Sequence, residues 1–80
     1  NGKREISLTI GRIDILTKYE IIEVKSVICW KHALGQILVY SLYYPSHQKR
    51  IHLFGDATKD FLELIKDHCS QFDVKVTWDL

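Results

Sequence analysis

The sequence predicts one small α/β domain, of the α+β type, with a mixed sheet flanked by two helices. In five segments, apolar residues follow the period of two that is typical of strands. In two others they recur every three or four residues, as in amphipathic helices. The 80 residues, 46% of them hydrophobic, suffice for a single domain covering residues 1–80. The expected order is β-β-β-α-β-α-β, an antiparallel meander followed by parallel pairing across helical connections.

The element boundaries follow from local signals. Strands are predicted at residues 5–10, 12–16, 20–25, 50–54 and 73–78, and helices at 30–43 and 57–71. Gly11 marks a tight turn or bulge, Pro45 ends the first helix near Tyr43 or Tyr44, and Asp56 is expected to cap the second. The expected core includes Trp30, Trp78 and one side of the second helix: Phe61, Leu62, Leu64, Ile65 and Cys69.

Composition narrows the functional classes. The net charge is +1, which is too small to identify a nucleic-acid binder by itself. No apolar run approaches the roughly 20 residues that span a bilayer, so no membrane partner is expected. Cys29 and Cys69 are expected to be reduced thiols, and we expect an intracellular location in cytoplasm or nucleus. Because methionine is absent, the chain is expected to belong to a larger parent protein; a homodimer is the alternative assembly.

Three charged residues stand out in the second and third strands. If residues 17–20 form a turn, Asp14 lies opposite Glu23, with Cβ atoms about 5 Å apart. Lys25 follows Glu23 by two residues and therefore shares its face. Two opposed carboxylates repel each other unless a cation lies between them. The alternative is a cross-strand salt bridge from Lys25 to Glu23 or Asp14.

This arrangement resembles the PD-(D/E)XK nuclease superfamily, which has the restriction-endonuclease-like fold. The resemblance rests on Asp14, on Glu23-Val24-Lys25 at a strand end, and on the helix and strand-helix-strand that follow. The segment Gln36-Ile37-Leu38-Val39-Tyr40 resembles the Gln-x-x-x-Tyr helix of the branch that includes helicase-linked exonucleases and small viral or phage-type nucleases. The sequence differs at Ile13, where the family name has proline. It also offers no counterpart of the family's upstream acidic helix.

The resemblance implies a metal-dependent nuclease domain that hydrolyses phosphodiester bonds of DNA by Mg²⁺-assisted water attack. Asp14, Glu23 and the backbone carbonyl of Val24 would hold Mg²⁺ or Mn²⁺, an ion that favours one or two carboxylates plus waters. Lys25 would complete the catalytic set by holding the attacking water or the scissile phosphate. DNA is the expected partner, with RNA as an alternative substrate. The alternative function is a catalytically inactive module of the same fold that binds nucleic acid or protein.

The first helix offers residues for contact with nucleic acid. Gln36 and Tyr40 are four residues apart and share a helix face, from which an amide and a phenol could grip a phosphate or a base edge. Lys31 and His32 lie in the first helical turn, where free backbone N–H groups favour anions. The alternative is an ordinary helix surface, with a solvated glutamine and a half-buried tyrosine.

Basic residues follow Pro45 in a segment expected to be a loop. His47, Lys49 and Arg50 could track a phosphate backbone, or could simply be solvated. Tyr43 and Tyr44 could stack on bases, with packing at the core or its rim as the alternative.

A zinc site is the competing metal hypothesis. It would combine Cys29 and His32 with His68 and Cys69, but adjacent helical residues point in different directions and rarely bind one ion together. The sequence has no glycine-rich phosphate loop and no nucleotide-binding fingerprint.

Overall fold

The computed structural model describes residues 2–8 and 11–79, with side chains from residue 13 onward. The strands are β1 (Lys3–Leu8), β2 (Gly11–Leu16), β3 (Glu20–Ser26), β4 (Gln48–Phe54) and β5 (Val74–Trp78). The helices are α1 (Trp30–Ser41) and α2 (Lys59–Ser70), with a short 3-10 turn, Val27–Cys29, before α1. The predicted order β-β-β-α-β-α-β is confirmed.

The five strands form one mixed sheet in the order β1-β2-β3-β4-β5. The first three pair antiparallel through short connections, and β3, β4 and β5 pair parallel through α1 and α2. This is the predicted α+β mixed sheet. Because parallel crossovers are right-handed and these two advance in the same direction along the sheet, both helices lie on the same face.

The core lies between that face and the two helices. Ile51 pairs with Glu23 on β3 and with Val76 on β5, so these three side chains share the helix-covered face. Residues of both helices join one buried cluster: Ile13, Ile21, Val27, Ala33, Ile37, Tyr40, Ile51, Leu53, Leu62, Ile65, Cys69, Val74 and Val76. Trp30 and Trp78 are partly buried against this cluster, as expected. Neither helix is long and apolar enough to cross a membrane within the described residues.

Strand β4 begins two residues earlier than predicted. The parallel ladder with β3 already starts at Glu20 and Gln48, and the Gln48 N–H donates to the carbonyl of Tyr19 at 2.8 Å. The prediction that Lys49 belongs to a loop is therefore wrong, because backbone pairing includes it in the strand. Arg50 lies in β4, as the predicted strand over residues 50–54 requires, and so does not belong to the basic loop in which it was also placed. Strand β1 begins at Lys3 rather than residue 5, and the predicted strand end at positions 9 and 10 lies outside the described residues.

Helix α2 begins at Lys59, and the prediction of Asp56 as its N-cap is wrong. Thr58 has extended backbone geometry, and its hydroxyl accepts a hydrogen bond from the Phe61 N–H at 3.1 Å. A threonine in this position satisfies one of the free N–H groups of the first turn. The helix therefore starts two residues later than the sequence suggested.

The buried stripe of α2 is narrower than predicted. Leu62, Ile65 and Cys69 are buried, as expected from their spacing of three and four residues. Phe61 and Leu64 are 37% and 49% exposed, so their predicted burial is wrong. A helix that packs on one face of a small sheet buries only the stripe of its own residues that faces the sheet.

Candidate functional site

The turn between β2 and β3 is organised by Thr17. Its backbone N–H donates to the carbonyl of Glu20 at 2.9 Å, and its hydroxyl accepts from the N–H groups of Glu20 at 2.8 Å and Tyr19 at 3.2 Å. A hydroxyl bonded to backbone groups two and three residues ahead is a common way to close a turn. The turn fixes the predicted register: Leu16 lies opposite Ile21, and the next pair follows in step.

Beyond the pair Ile15 and Ile22, the backbone hydrogen bonds between β2 and β3 stop, and side-chain carboxylates accept the hydrogen bonds instead. The paired residues end at Ile15 and Ile22, although both strands continue. One step further, the Asp14 N–H donates to Glu23 Oε2 at 3.2 Å, and the Val24 N–H donates to Asp14 Oδ2 at 2.9 Å. The strands thus separate around two carboxylates that face each other across the gap, as the register predicted.

The gap also receives the carbonyl of Val24. In an extended strand the N–H and C=O of one residue point to the same lateral side. Because the Val24 N–H points toward Asp14, its carbonyl points toward β2 as well. Within the described residues, Asp14 Oδ1 and Glu23 Oε1 make no hydrogen bond, so one oxygen of each carboxylate is available to a ligand.

Glu23 is the buried acidic residue of the described core, with only 1% of its surface exposed. Burial raises its pKa from 4.5 to about 7; the Asp14 N–H lowers it, the Asp14 charge raises it, and the Lys25 charge lowers it. A carboxyl group poised near neutral pH in this way is typical of functional sites. Its ionised form is costly unless a positive charge lies beside it.

Lys25 lies on the same face as Glu23 and is half-buried. It is close enough to lower the pKa of Glu23 by its charge, yet across the described residues its ammonium makes no ion pair within 4.0 Å. The alternative of a closed salt bridge to Asp14 or Glu23 is therefore not formed. The described side chains also contain no cluster of three or more His, Cys, Asp or Glu residues placed to hold a metal, so the acidic set is a pair.

Four of the predicted nucleic-acid-binding residues lie together on α1. Lys31, His32, Gln36 and Tyr40 line one shallow depression, together with two further helix residues. Lys31 and His32 are exposed in the first helical turn, as predicted. The Gln36 Nε2 donates to the Tyr40 hydroxyl at 3.4 Å, which joins the two side chains of the predicted pair.

Lys49 and Arg50 do not join that depression. The Arg50 guanidinium donates from Nε to Glu20 Oε2 at 3.1 Å and from Nη2 to Glu20 Oε1 at 3.4 Å. Arg50 pairs with Ile22, so it lies on the sheet face opposite Glu23. The Lys49 ammonium lies 4.0 Å from the Asp73 carboxylate. The structure thus divides the predicted basic set between separate surfaces.

The four residues of the zinc hypothesis lie in different environments. Cys69 is buried in the core, where burial raises the pKa of its thiol, whereas Cys29 is exposed. His68 stacks on Trp30 with ring centres 6.0 Å apart. Both thiols are free.

The sequence predicts the turn at residues 17–20 but does not reveal the role of the Thr17 hydroxyl or of Gly35. Thr17 closes the turn that sets the register, and a threonine before two polar residues could have suggested it. Gly35 lines the α1 depression, and a glycine inside a helical pattern is itself an unusual signal.

Comparison with known proteins finds relatives in a giant virus. The chain is 44% identical over 75 residues to "Putative KilA-N domain-containing protein L33" of Acanthamoeba polyphaga mimivirus. It is 43% identical over 75 residues to the equivalently named protein L32, and 42% identical over 73 residues to R878, both of the same virus. These matches cover 94%, 94% and 91% of the chain.

The chain spans only a minor part of these relatives: 30% of L33 and 20% each of L32 and R878. No family model matches the chain. No solved structure matches it either. The relatives are named for a KilA-N domain and not as nucleases, so the resemblance to the PD-(D/E)XK superfamily stays a prediction. The element order and the register of β2 and β3 that were predicted together with it are confirmed.

Proposed function

We propose that the chain is a DNA-binding module and that the gap between β2 and β3 is a metal-dependent phosphodiesterase site. The supporting observation is a pair of hydrogen bonds, from the Asp14 N–H to the Glu23 carboxylate and from the Val24 N–H to the Asp14 carboxylate, which hold two carboxylates at the gap. A purely structural sheet gains nothing from opposed, partly desolvated acids. A divalent cation between them would remove that cost.

DNA is the proposed partner because of the relatives. KilA-N is a DNA-binding fold, and the three viral proteins are named for it. The chain corresponds to less than a third of each of them, and we take the domain for which they are named as the indication of a DNA partner. A DNA partner accords with the expected intracellular location. Clustering of Lys31, His32 and Gln36 on one depression adds donors suited to a phosphate backbone.

The donor set fits Mg²⁺ or Mn²⁺. Asp14 and Glu23 each have one carboxylate oxygen without a hydrogen bond, and the Val24 carbonyl points to the same gap. Hard oxygen ligands with room for waters are what Mg²⁺ prefers. When bound, the ion would supply charge stabilisation for the phosphoryl oxygens and activation of a water.

Lys25 has the complementary role. Its ammonium lies on the face of Glu23 without a close counter-ion in the described part of the chain, so it is available to a phosphate oxygen or to the attacking water. A preformed positive charge aimed at developing negative charge lowers the barrier without rearrangement. Glu23, with a pKa of about 7, must lose its proton before the pair can hold a cation.

The direct test is cleavage of supercoiled plasmid and of single-stranded DNA with Mg²⁺, with Mn²⁺ or with EDTA. The variants are Asp14→Asn, Glu23→Gln and Lys25→Met, and Glu63→Gln on α2 is the matched control. We expect metal-dependent cleavage that Asp14→Asn and Glu23→Gln abolish, that Lys25→Met lowers by roughly a hundredfold, and that the control retains. Cleavage that survives all three substitutions would end the proposal.

The second candidate is a catalytically inactive module of the same fold that binds DNA. The KilA-N description of the relatives favours it, as does an acidic set of only two carboxylates among the described residues. Thermal denaturation with and without Mn²⁺ separates the two candidates. An inactive module would bind DNA but would show no Mn²⁺ stabilisation dependent on Asp14 and Glu23.

A further inference from the structure

Gly35 occupies the middle of α1 on its exposed side. A Cβ placed on it would meet nothing within 4 Å, so no packing inside the fold requires a glycine here. Glycine destabilises a helix interior relative to alanine, because it loses more backbone freedom on folding. Gly35 weakens its own helix although packing within the protein does not require a glycine. This points to a requirement from a binding partner, such as the close approach of a ligand to the backbone.

The surroundings of Gly35 indicate the ligand's charge. The same depression is lined by Lys31, His32, Gln36 and Val39, and it includes no acidic side chain. The missing Cβ leaves the helix backbone bare between the two basic residues on one side and the amide on the other. We name this surface, formed by residues 31, 32, 35, 36 and 39, the Gly35 notch.

Gln36 adds a second, independent signal. Its Nε2 donates to the hydroxyl of Tyr40, whereas its Oε1 is buried and has no hydrogen-bond partner among the described residues. A buried acceptor without a donor is unfavourable, and native proteins rarely leave one unless a ligand or water completes it. A ligand that offers an N–H or O–H donor would satisfy it.

We propose that the Gly35 notch seats one nucleotide of a DNA strand. The sugar–phosphate backbone lies against the bare helix at Gly35 and a phosphate contacts Lys31 and His32. The Gln36 amide turns toward the strand, so that its Oε1 accepts from a base amino group. This proposal rests on the proposed function only in taking DNA as the ligand, and it does not require cleavage. It identifies Gly35 as the residue that sets how closely the strand approaches.

The test is DNA binding by fluorescence anisotropy, with fluorescein-labelled single-stranded and double-stranded oligonucleotides in EDTA. Gly35→Ala and Gly35→Leu fill the notch without touching the core. We expect Gly35→Ala to raise the melting temperature by about 4 °C and to weaken binding, and Gly35→Leu to weaken it by roughly tenfold or more. Leu64→Phe, which adds bulk at an exposed position of α2, should leave binding unchanged.

Two further arms make the outcome specific. Gln36→Leu removes the unsatisfied acceptor and should weaken binding while keeping the fold stable. A deoxynucleoside monophosphate should compete poorly with the oligonucleotide if the notch seats part of a strand, and strong competition would indicate a free-nucleotide site and overturn the proposal. Gly35 variants that are stabilised but bind DNA as the wild type does would also overturn it.

The failure of this proposal is distinguishable from that of the nuclease. A wild-type chain that binds DNA through the notch but never cuts it leaves the notch in place and removes the phosphodiesterase. A wild-type chain that cuts DNA, with Gly35→Leu cutting and binding equally well, removes the notch alone. A wild-type chain that neither binds DNA in EDTA nor cuts it with Mg²⁺ or Mn²⁺ removes both.

Discussion

Asp14 and Glu23 are joined by a hydrogen bond from the Asp14 backbone N–H to Glu23 Oε2, 3.2 Å long, while the Asp14 carboxylate accepts from the next residue of β3, Val24. The Asp14 carboxylate therefore takes the place that a backbone carbonyl of β2 would have in a continuous ladder. The arrangement fixes the positions of both side chains. Carboxylate oxygens placed in this way before a ligand arrives are the preorganisation that cation binding needs.

The first prediction concerns stability and pH. Because the folded state holds the Glu23 proton more tightly than the unfolded state, the contribution of this group to stability is full below pH 4.5 and is lost as pH rises through about 7. A pKa raised from 4.5 to about 7 corresponds to about 3 kcal/mol. We expect Glu23→Gln to be the more stable protein at pH 8, because its amide still accepts the Asp14 N–H but carries no charge.

Urea denaturation from pH 4.5 to 8.5 measures this effect. The difference in unfolding free energy between Glu23→Gln and wild type should grow with pH and level off above 7. Glu63→Gln on α2 is the control and should show no such growth. A pH-independent difference at Glu23 would mean that its carboxyl group is not held protonated by burial.

The second prediction separates the roles of lysine and carboxylates. Lys25→Met removes the positive charge on the sheet face that carries Glu23 but leaves Asp14 and Glu23 in place. We expect cleavage to fall by roughly a hundredfold while Mn²⁺ affinity stays the same or rises slightly, since a repelling cation is gone. Parallel cleavage assays and Mn²⁺ titrations would reveal the split. Loss of metal binding together with cleavage would instead give Lys25 a structural role.

The third prediction concerns the turn that sets the register. Thr17→Val keeps the shape of the side chain but removes the hydroxyl that accepts from Glu20 and Tyr19. We expect a loss of about 1–2 kcal/mol in unfolding free energy and weaker Mn²⁺ binding, because the position of Asp14 opposite Glu23 depends on this turn. Thr17→Ser retains the hydroxyl and should stay close to wild type. Equal stability of the valine and serine variants would contradict this account.

The fourth prediction distinguishes two possible caps of α2. Thr58→Ala should cost about 1 kcal/mol, because the Phe61 N–H loses its acceptor, and Thr58→Ser should retain most of it. Asp56→Ala should change stability by only a few tenths of a kcal/mol, since Asp56 lies outside the helix start. Thermal denaturation of the three variants ranks their losses of stability directly. A larger effect at Asp56 than at Thr58 would restore the sequence-based assignment.

The sequence was sufficient for the topology and for the register at the site. Strand and helix periodicities gave the element order, and counting outward from residues 17–20 placed Asp14 opposite Glu23, because strand pairing alternates strictly. Leu62, Ile65 and Cys69 were assigned correctly for the same reason, since helical spacing identifies the centre of a buried stripe.

What the sequence could not give were features decided by neighbouring elements. Gln48 and Lys49 have polar loop character, yet the backbone of β3 pairs with them and extends β4 by two residues. Phe61 and Leu64 are apolar but lie at the flank of α2, and only the packed structure decides how far a flank is covered. Local composition does not show how far a strand is paired or how much of a helix is covered, because both depend on neighbouring elements.

The central claim is that Asp14 and Glu23 together hold a divalent cation. Anomalous X-ray diffraction from a crystal soaked in Mn²⁺ at pH 8, where Glu23 is ionised, tests it most directly. The account predicts a strong peak between β2 and β3, about 2.0–2.3 Å from an oxygen of each carboxylate and near the Val24 carbonyl. A well-ordered gap without a peak, or a peak bound only by other residues, would contradict the claim.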